Sequence, residues 1–208
     1  MRFLSALLGR WVYRLSSPVV ALVLRLRGVK VGRGFYIEGL PYLKLNGCRD
    51  AVTIGNGVRV HGAIDLRTRE NGQIQIDDGV TLDRDCRLVA ARDALLHFKA
   101  GADVGCFTVF NCGADVTIGK GVLIAGFCYI QSSEHGIARS IPIREQPHHL
   151  AAIIIEEEAW LAAHVAVLPG VTIGTGAVVG AHSVVTESLE PFSINAGIPA
   201  RRIADRTD

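Results

Sequence analysis

Between residues 54 and 185 the chain returns, at every sixth position over long stretches, to an aliphatic or aromatic residue. The beats fall at Ile54 and Val60, at Ile76, Leu82 and Leu88, at Phe98, Val104 and Phe110, and at Ile118, Ile124 and Ile130. After an interruption they resume at Ile155, Leu161, Val167, Ile173, Val179 and Val185. A six-residue period matches neither the 3.6 residues of an α-helix nor the alternation of a half-buried strand. It matches a parallel β-helix, in which three short strands and three corners make a coil of about eighteen residues and coil stacks on coil. The beat residue points inward, and a small residue often follows it, as in Ile54-Gly55, Val104-Gly105 and Ile118-Gly119, where the backbone must turn tightly. Four positions after the beat the side chain is again small or β-branched, as at Val58, Val80, Cys86, Thr108, Val122 and Cys128. Offsets in the beat at residues 66–73 and 112–115 predict small insertions at corners.

Composition agrees. Hydrophobic residues make up 49% of the 208 positions and aromatics 6%, so the core is aliphatic. The 22 basic residues nearly balance 20 acidic ones, which argues against a nucleic-acid binder working by bulk charge. The five cysteines, Cys48, Cys86, Cys106, Cys112 and Cys128, are odd in number and form no C-x-x-C pair. That fits reduced thiols in a cytoplasmic protein better than a disulfide framework or a structural zinc site.

Residues 1–30 form a separate segment. Phe3, Leu4, Leu7, Leu8, Trp11, Val12 and Leu15 recur at helical spacing, with Arg10 and Arg14 on another face. The longest uncharged run, Leu15 to Leu24, is too short to span a bilayer, and no cleavage-site pattern follows it. Two partners suit such a helix: an anionic membrane surface, touched peripherally from the cytoplasm, or the main domain or a neighbouring subunit. The glycines of "GVKVGRGFYIEG" lack the G-x-G-x-x-G spacing of a phosphate loop, and Val31-Gly32 reads as the start of the coils. The expected organisation is a helical segment over 1–30, a β-helix over 31–203 with a protruding loop at 132–150, and a tail at 204–208.

The run "EEEAWLAAHVAVLPGVTIGTGAVVGAHSVVTESLEPFSINAGIPARRI" and the "HG…PIREQP" pattern between His135 and Pro147 resemble the left-handed β-helix, hexapeptide-repeat acyltransferases, in particular those that O-acetylate surface polysaccharides. The resemblance covers roughly residues 50–203. It implies an all-β left-handed parallel β-helix, a homotrimer, acetyl-CoA as co-substrate in a groove between subunits, a saccharide acceptor and no metal. Carried onto this sequence, it places donor contacts at Trp160, Ala163, Ala181, Thr186, Arg201 and Arg202. Two positions depart from the family pattern. Glu187 stands where relatives often carry a basic residue, which shifts the phosphate contacts toward Arg201 and Arg202; Ala162 stands where a glycine is usual.

The break in the beat carries the chemistry. "SSEHG", residues 132–136, stands at its near edge, and an excursion from a rigid stack is a common way to present a functional side chain. Acetyl transfer to a hydroxyl needs a base, and histidine titrates near working pH. His135 is the candidate, with Glu134 and Glu145 as candidate orienting carboxylates, and with Asn111 and Gln146 as candidate acceptor contacts. His148 and His149 are secondary candidates; His164 and His182 read as corner residues. No cysteine lies in the loop, so direct attack without an acyl-enzyme is expected. The alternatives are N-acetylation of a nucleotide-linked amino sugar, a zinc-dependent carbonic anhydrase on the same architecture, and a non-catalytic scaffold.

Overall fold

The computed structural model describes residues 11–46 and 50–207. Among these residues the chain forms a parallel β-helix of seven coils with an α-helix at its first end. Each coil contributes one short strand to each of three faces. The first face runs from Lys30–Val31 to Thr172–Ile173, the second from Tyr36–Ile37 to Val178–Val179, and the third from Pro41–Leu45 to Val184–Val185. Every pairing within these seven-coil faces is parallel.

The six-residue beat becomes three interior columns. Val31, Ile54, Ile76, Phe98, Ile118, Ile155 and Ile173 are successive register partners on the first face. Ile37, Val60, Leu82, Val104, Ile124, Leu161 and Val179 stack likewise on the second. Leu66, Leu88, Phe110, Ile130, Val167 and Val185 do so on the third. Every predicted beat residue is 4% exposed or less. Phe98 and Phe110 meet edge to face at 4.9 Å in the middle of this core, a geometry that favours aromatic pairs. Gly105 shows how closely the coils approach: a Cβ there would lie 2.4 Å from the Gly126 nitrogen.

Coil length departs from expectation. Partners Ile54, Ile76 and Phe98 lie 22 positions apart, where three hexads would give eighteen; the shorter spacing appears only between the last two coils, at Ile155–Ile173, Leu161–Val179 and Val167–Val185. The corner insertions are thus a repeated feature of the early coils. Their third-face strands run to five residues, as at Ile64–Thr68 and Cys86–Ala90, and bury Thr68, Ala90 and Cys112 as an additional row.

Helix Trp11–Leu26 closes the first end. It buries Tyr13, Ser17, Ala21 and Leu24. The Ser17 hydroxyl donates to the Tyr13 carbonyl at 2.6 Å and accepts from the Ile37 N–H at 2.9 Å, tying helix to coil. Trp11 and Leu15, predicted on the apolar face, point outward; Phe3 to Arg10 lie outside the described residues, as does Cys48. At the other end Ser193–Ala196 extends the second face, and Arg201–Asp205 covers its edge in antiparallel pairing.

Phe98→Ala empties the centre of the first-face column and is expected to cost about 3–5 kcal/mol. Urea unfolding followed by circular dichroism checks this against Tyr42→Ala, an exposed aromatic whose loss should cost far less.

Candidate active site

Between Tyr129–Gln131 of the fifth coil and Ile153–Ile155 of the sixth, the chain leaves the stack as an antiparallel hairpin, Ser133–His135 against His148–Leu150. Ser132 anchors its root. The buried hydroxyl donates to the Ala114 carbonyl at 2.7 Å and accepts from the Gly113 and Ala114 N–H groups at 3.1 Å. Gly113 lets the hairpin lie against the coil, since a Cβ there would stand 2.9 Å from Ser133 Cβ and 3.0 Å from Leu150 Cδ2.

The register sets His135 opposite His148, and Glu134 opposite His149. Opposed residues share a face while neighbours along a strand alternate, so Glu134 projects away from the His135 ring. The two imidazoles pack with centroids 4.3 Å apart and planes tilted by 41°. Glu145 ends a short 3-10 turn, Ile143–Glu145, with its carboxylate 3.8 Å from Arg144. Among the described residues neither carboxylate makes a hydrogen bond or ion pair with His135. The group against its ring is His148.

Gln146 also differs from expectation. It is buried, accepts from the Ala138 N–H at 2.7 Å, and donates to the carbonyls of Ala138 at 2.8 Å and Ile141 at 2.7 Å. Its amide is engaged in holding the loop together. Asn111, by contrast, lines a cavity of about 220 Å³ together with His148, Ser133, Arg69, Glu70 and Arg92. The last three come from the widened corner, where Glu70 and Arg92 turn the chain at φ 56° and 59°. Sequence reasoning missed them, although the offset at 66–73 marks the first of these turns.

Among the candidate donor residues, Trp160, Ala163 and Ala181 occupy other edges of the prism, whereas Thr186 follows the third face at the hairpin's own corner. Trp160 opens the second-face strand Trp160–Leu161 and is 48% exposed. Ala163 and Ala181 stack at the corner between the second and third faces, the His182 N–H donating to the Ala163 carbonyl at 3.0 Å. Thr186 is exposed beyond the third-face strand Val184–Val185. Arg201 donates to Glu187 at 3.3 Å, so the departure at Glu187 ties down one arginine. Arg202 pairs with Asp205, whose hydrogen bond raises its pKa above the ordinary arginine value. One chain therefore brings His135, His148 and Asn111 to one edge and holds Trp160, Ala163 and Ala181 elsewhere.

The corner beside Ala163 and Ala181 carries a column of rings. Phe107, Phe127, His164 and His182 stack at 5.1, 5.0 and 4.6 Å. All four sit at positive φ, which costs a residue with a Cβ roughly 1–2 kcal/mol; stacking offsets part of that. Three thiols are buried in the core. Burial pushes Cys86 up to about 12 and raises Cys112 and Cys128 as well, leaving little thiolate near neutral pH. Among the described residues no group of three or more His, Cys, Asp or Glu side chains is gathered to hold a metal ion.

Residues 152–187 match the family described as bacterial transferase hexapeptide (six repeats). Over 160 residues the chain is 32% identical to "Probable acetyltransferase Rv3034c" of Mycobacterium tuberculosis, a match covering 76% of this chain and 51% of that protein. It is 32% identical over 143 residues to WbbJ of Escherichia coli, named for an inferred role as a lipopolysaccharide biosynthesis O-acetyl transferase, with 65% of this chain and 73% of that protein covered. The chain thus spans about half the length of the first relative and nearly three quarters of the second. Among solved structures it is similar to AntD, an N-acyltransferase from Bacillus cereus in complex with dTDP-4-amino-4,6-dideoxyglucose and coenzyme A. The TM-score is 0.63 at 21% identity, over 89% of this chain and 88% of that one, a likeness of fold.

Gly113→Val should push the hairpin off the coil without unfolding the stack. Hydrogen exchange is expected to speed up at the Gly136 and Ala151 amides, which bond to Pro147 and Ser132, while the Phe98 and Ile118 ladder amides keep their protection.

Proposed function

This chain belongs to the hexapeptide-repeat bacterial transferases, and from that premise we propose that it is an acetyl-CoA-dependent O-acetyltransferase acting on a saccharide. The observation that carries the reading is the His135–His148 pair, held on an anchored hairpin with His148 lining a polar cavity alongside Asn111. Such a cavity offers hydrogen-bond donors and acceptors to sugar hydroxyls. The likeness to WbbJ supports oxygen as the acetylated atom.

In this reading acetyl-CoA brings the acyl group as a thioester. Trp160 offers a flat apolar surface on the second face, the small side chains at Ala163 and Ala181 leave room for the slender part of the donor at the next corner, and Arg201 and Arg202 offer charge to its phosphates. His135 accepts the acceptor's hydroxyl proton as that oxygen bonds to the carbonyl carbon and the carbon–sulfur bond breaks. The imidazolium then returns the proton to the departing thiolate, so the products are an acetyl ester and free CoA. His148 holds the plane of the base by packing. No enzyme thiol takes part.

Because the hairpin and the donor strip lie on different edges, a neighbouring copy in a homotrimer completes each site. The loop beyond His135 suits such a contact: Ile137, Ile141 and Ile143 are 87%, 46% and 60% exposed, an apolar tip costly to leave in water. A second reading, N-acetylation of a nucleotide-linked amino sugar, draws on the fold shared with AntD. Competition between saccharide and amino-sugar acceptors separates the two.

Purified protein is expected to release free CoA from acetyl-CoA only when a saccharide acceptor is present. His135→Ala should lower the rate by about 10²–10⁴ while leaving CoA binding intact, and His148→Phe, which keeps a ring against the base, should retain most of it. Equal turnover in His135→Ala removes the base assignment, and a folded protein that does not bind CoA points to the scaffold. Alkylation with iodoacetamide at neutral pH should leave Cys86 and Cys112 unmodified in the peptide map and acyl transfer unimpaired.

A further inference from the structure

Helix Trp11–Leu26 has two apolar sides, and only one is used. The side that buries Tyr13, Ser17, Ala21 and Leu24 closes the β-helix. Opposite it, Trp11, Leu15, Val19, Leu22, Val23 and Leu26 are 51–77% exposed. At 100° per residue these six fall within one sector of the helix, centred across the axis from the buried set. A helix that merely capped a water-soluble stack would carry polar side chains there. The stripe continues past the helix to Leu40, and a shallow apolar groove lined by Val19, Val23, Arg27, Leu40, Pro41 and Leu43 borders it.

The charges around this stripe have one sign. Arg14 and Arg25 lie along one margin and Arg27 along the other, all three exposed. Arg14 sits over the Trp11 ring with 5.2 Å from guanidinium carbon to centroid. From residue 1 to residue 37 the sequence has seven basic residues and no acidic one; the rest of the chain is net negative, since the total is only +2. Among the described residues no helix is long and apolar enough to cross a membrane.

We propose that this outward helix face docks on an anionic lipid bilayer, the apolar stripe entering the level of the acyl-chain boundary while the flanking arginines meet the phosphate headgroups. An amphipathic helix lying in the interfacial plane has this arrangement of an apolar strip between cationic margins. Attraction to anionic lipid adds to apolar burial and is screened by salt. The buried side of the same helix fixes its orientation: the β-helix stands on the bilayer by its first coil, with the His135 hairpin between the fifth and sixth coils held away from the surface. The docking does not depend on which reaction the hairpin performs.

The test uses the full chain with sedimented vesicles of phosphatidylcholine alone or with one third phosphatidylglycerol. The protein should pellet with the anionic vesicles, at least tenfold more than with neutral ones, and high salt should release most of it. Leu15→Glu/Leu26→Glu should abolish pelleting, and Arg14→Gln/Arg27→Gln should remove the preference for phosphatidylglycerol. Both pairs are exposed, so circular dichroism and the thermal midpoint should match those of the unsubstituted protein. Recovery in the supernatant with both vesicle types overturns the proposal. So does a Leu15→Glu/Leu26→Glu variant that still pellets, or one whose loss of binding accompanies a lower assembly mass in analytical ultracentrifugation, which would assign the face to a second copy of the chain.

Discussion

Coil-on-coil register is the constraint on which everything else here depends. A parallel strand two residues long has little stability alone; it persists because the coils before and after it supply hydrogen bonds in the same direction. Those bonds demand that Ile76 lie over Ile54 and Phe98 over Ile76, so the interior is a set of columns in which like meets like. Such a stack tolerates insertions at corners because a corner residue owes nothing to the ladder. It tolerates none inside a strand, where a shift of one residue would turn the column inside out.

Variation is consequently confined to corners and ends, and the proposed site lies at one of them. The widened corner between the third and first faces supplies Arg69, Glu70 and Arg92, and the hairpin that carries His135 emerges from the same corner two coils after Arg92. Its position is not loose, because Ser132 returns three hydrogen bonds to the coil below and Gln146 closes the loop upon itself. A rigid ladder below and an internally bonded loop above place two imidazoles where flexible excursions could not.

Much of this was legible in the order of residues. The inward columns follow from the period alone, and the corner shift at 66–73 and the interruption after Ile130 were both visible as lost beats. What escaped depends on partners distant in sequence. That His148 faces His135 requires knowing that the interruption is a hairpin and where it turns. That Glu134 faces away follows from strand alternation once the strand is known, but a break in a pattern does not announce a strand. Gln146 looked like an acceptor contact because it sits in a motif-bearing stretch; its amide instead satisfies loop backbone groups that would otherwise be left without partners. The coil length of 22 could be counted from the beats, yet the triangular ideal of eighteen concealed it.

The two ends of the stack present a different problem from its sides. A β-helix cut at either end exposes both an interior column and a row of unpaired backbone groups, and each end must be closed. At the last coil the cover is of mixed chemistry: Arg201–Asp205 pairs with the edge and presents two arginines and an aspartate to water together with Ile203. At the first coil the closing element is a helix whose inner side meets the same requirement with Ala21 and Leu24. Nothing in the closure of a core asks for leucine and valine on the outer side as well. Two ends with the same structural duty thus differ in outer chemistry, a continuous apolar stripe at one and a charge-rich strand at the other, and the difference lies in residues the fold itself does not need.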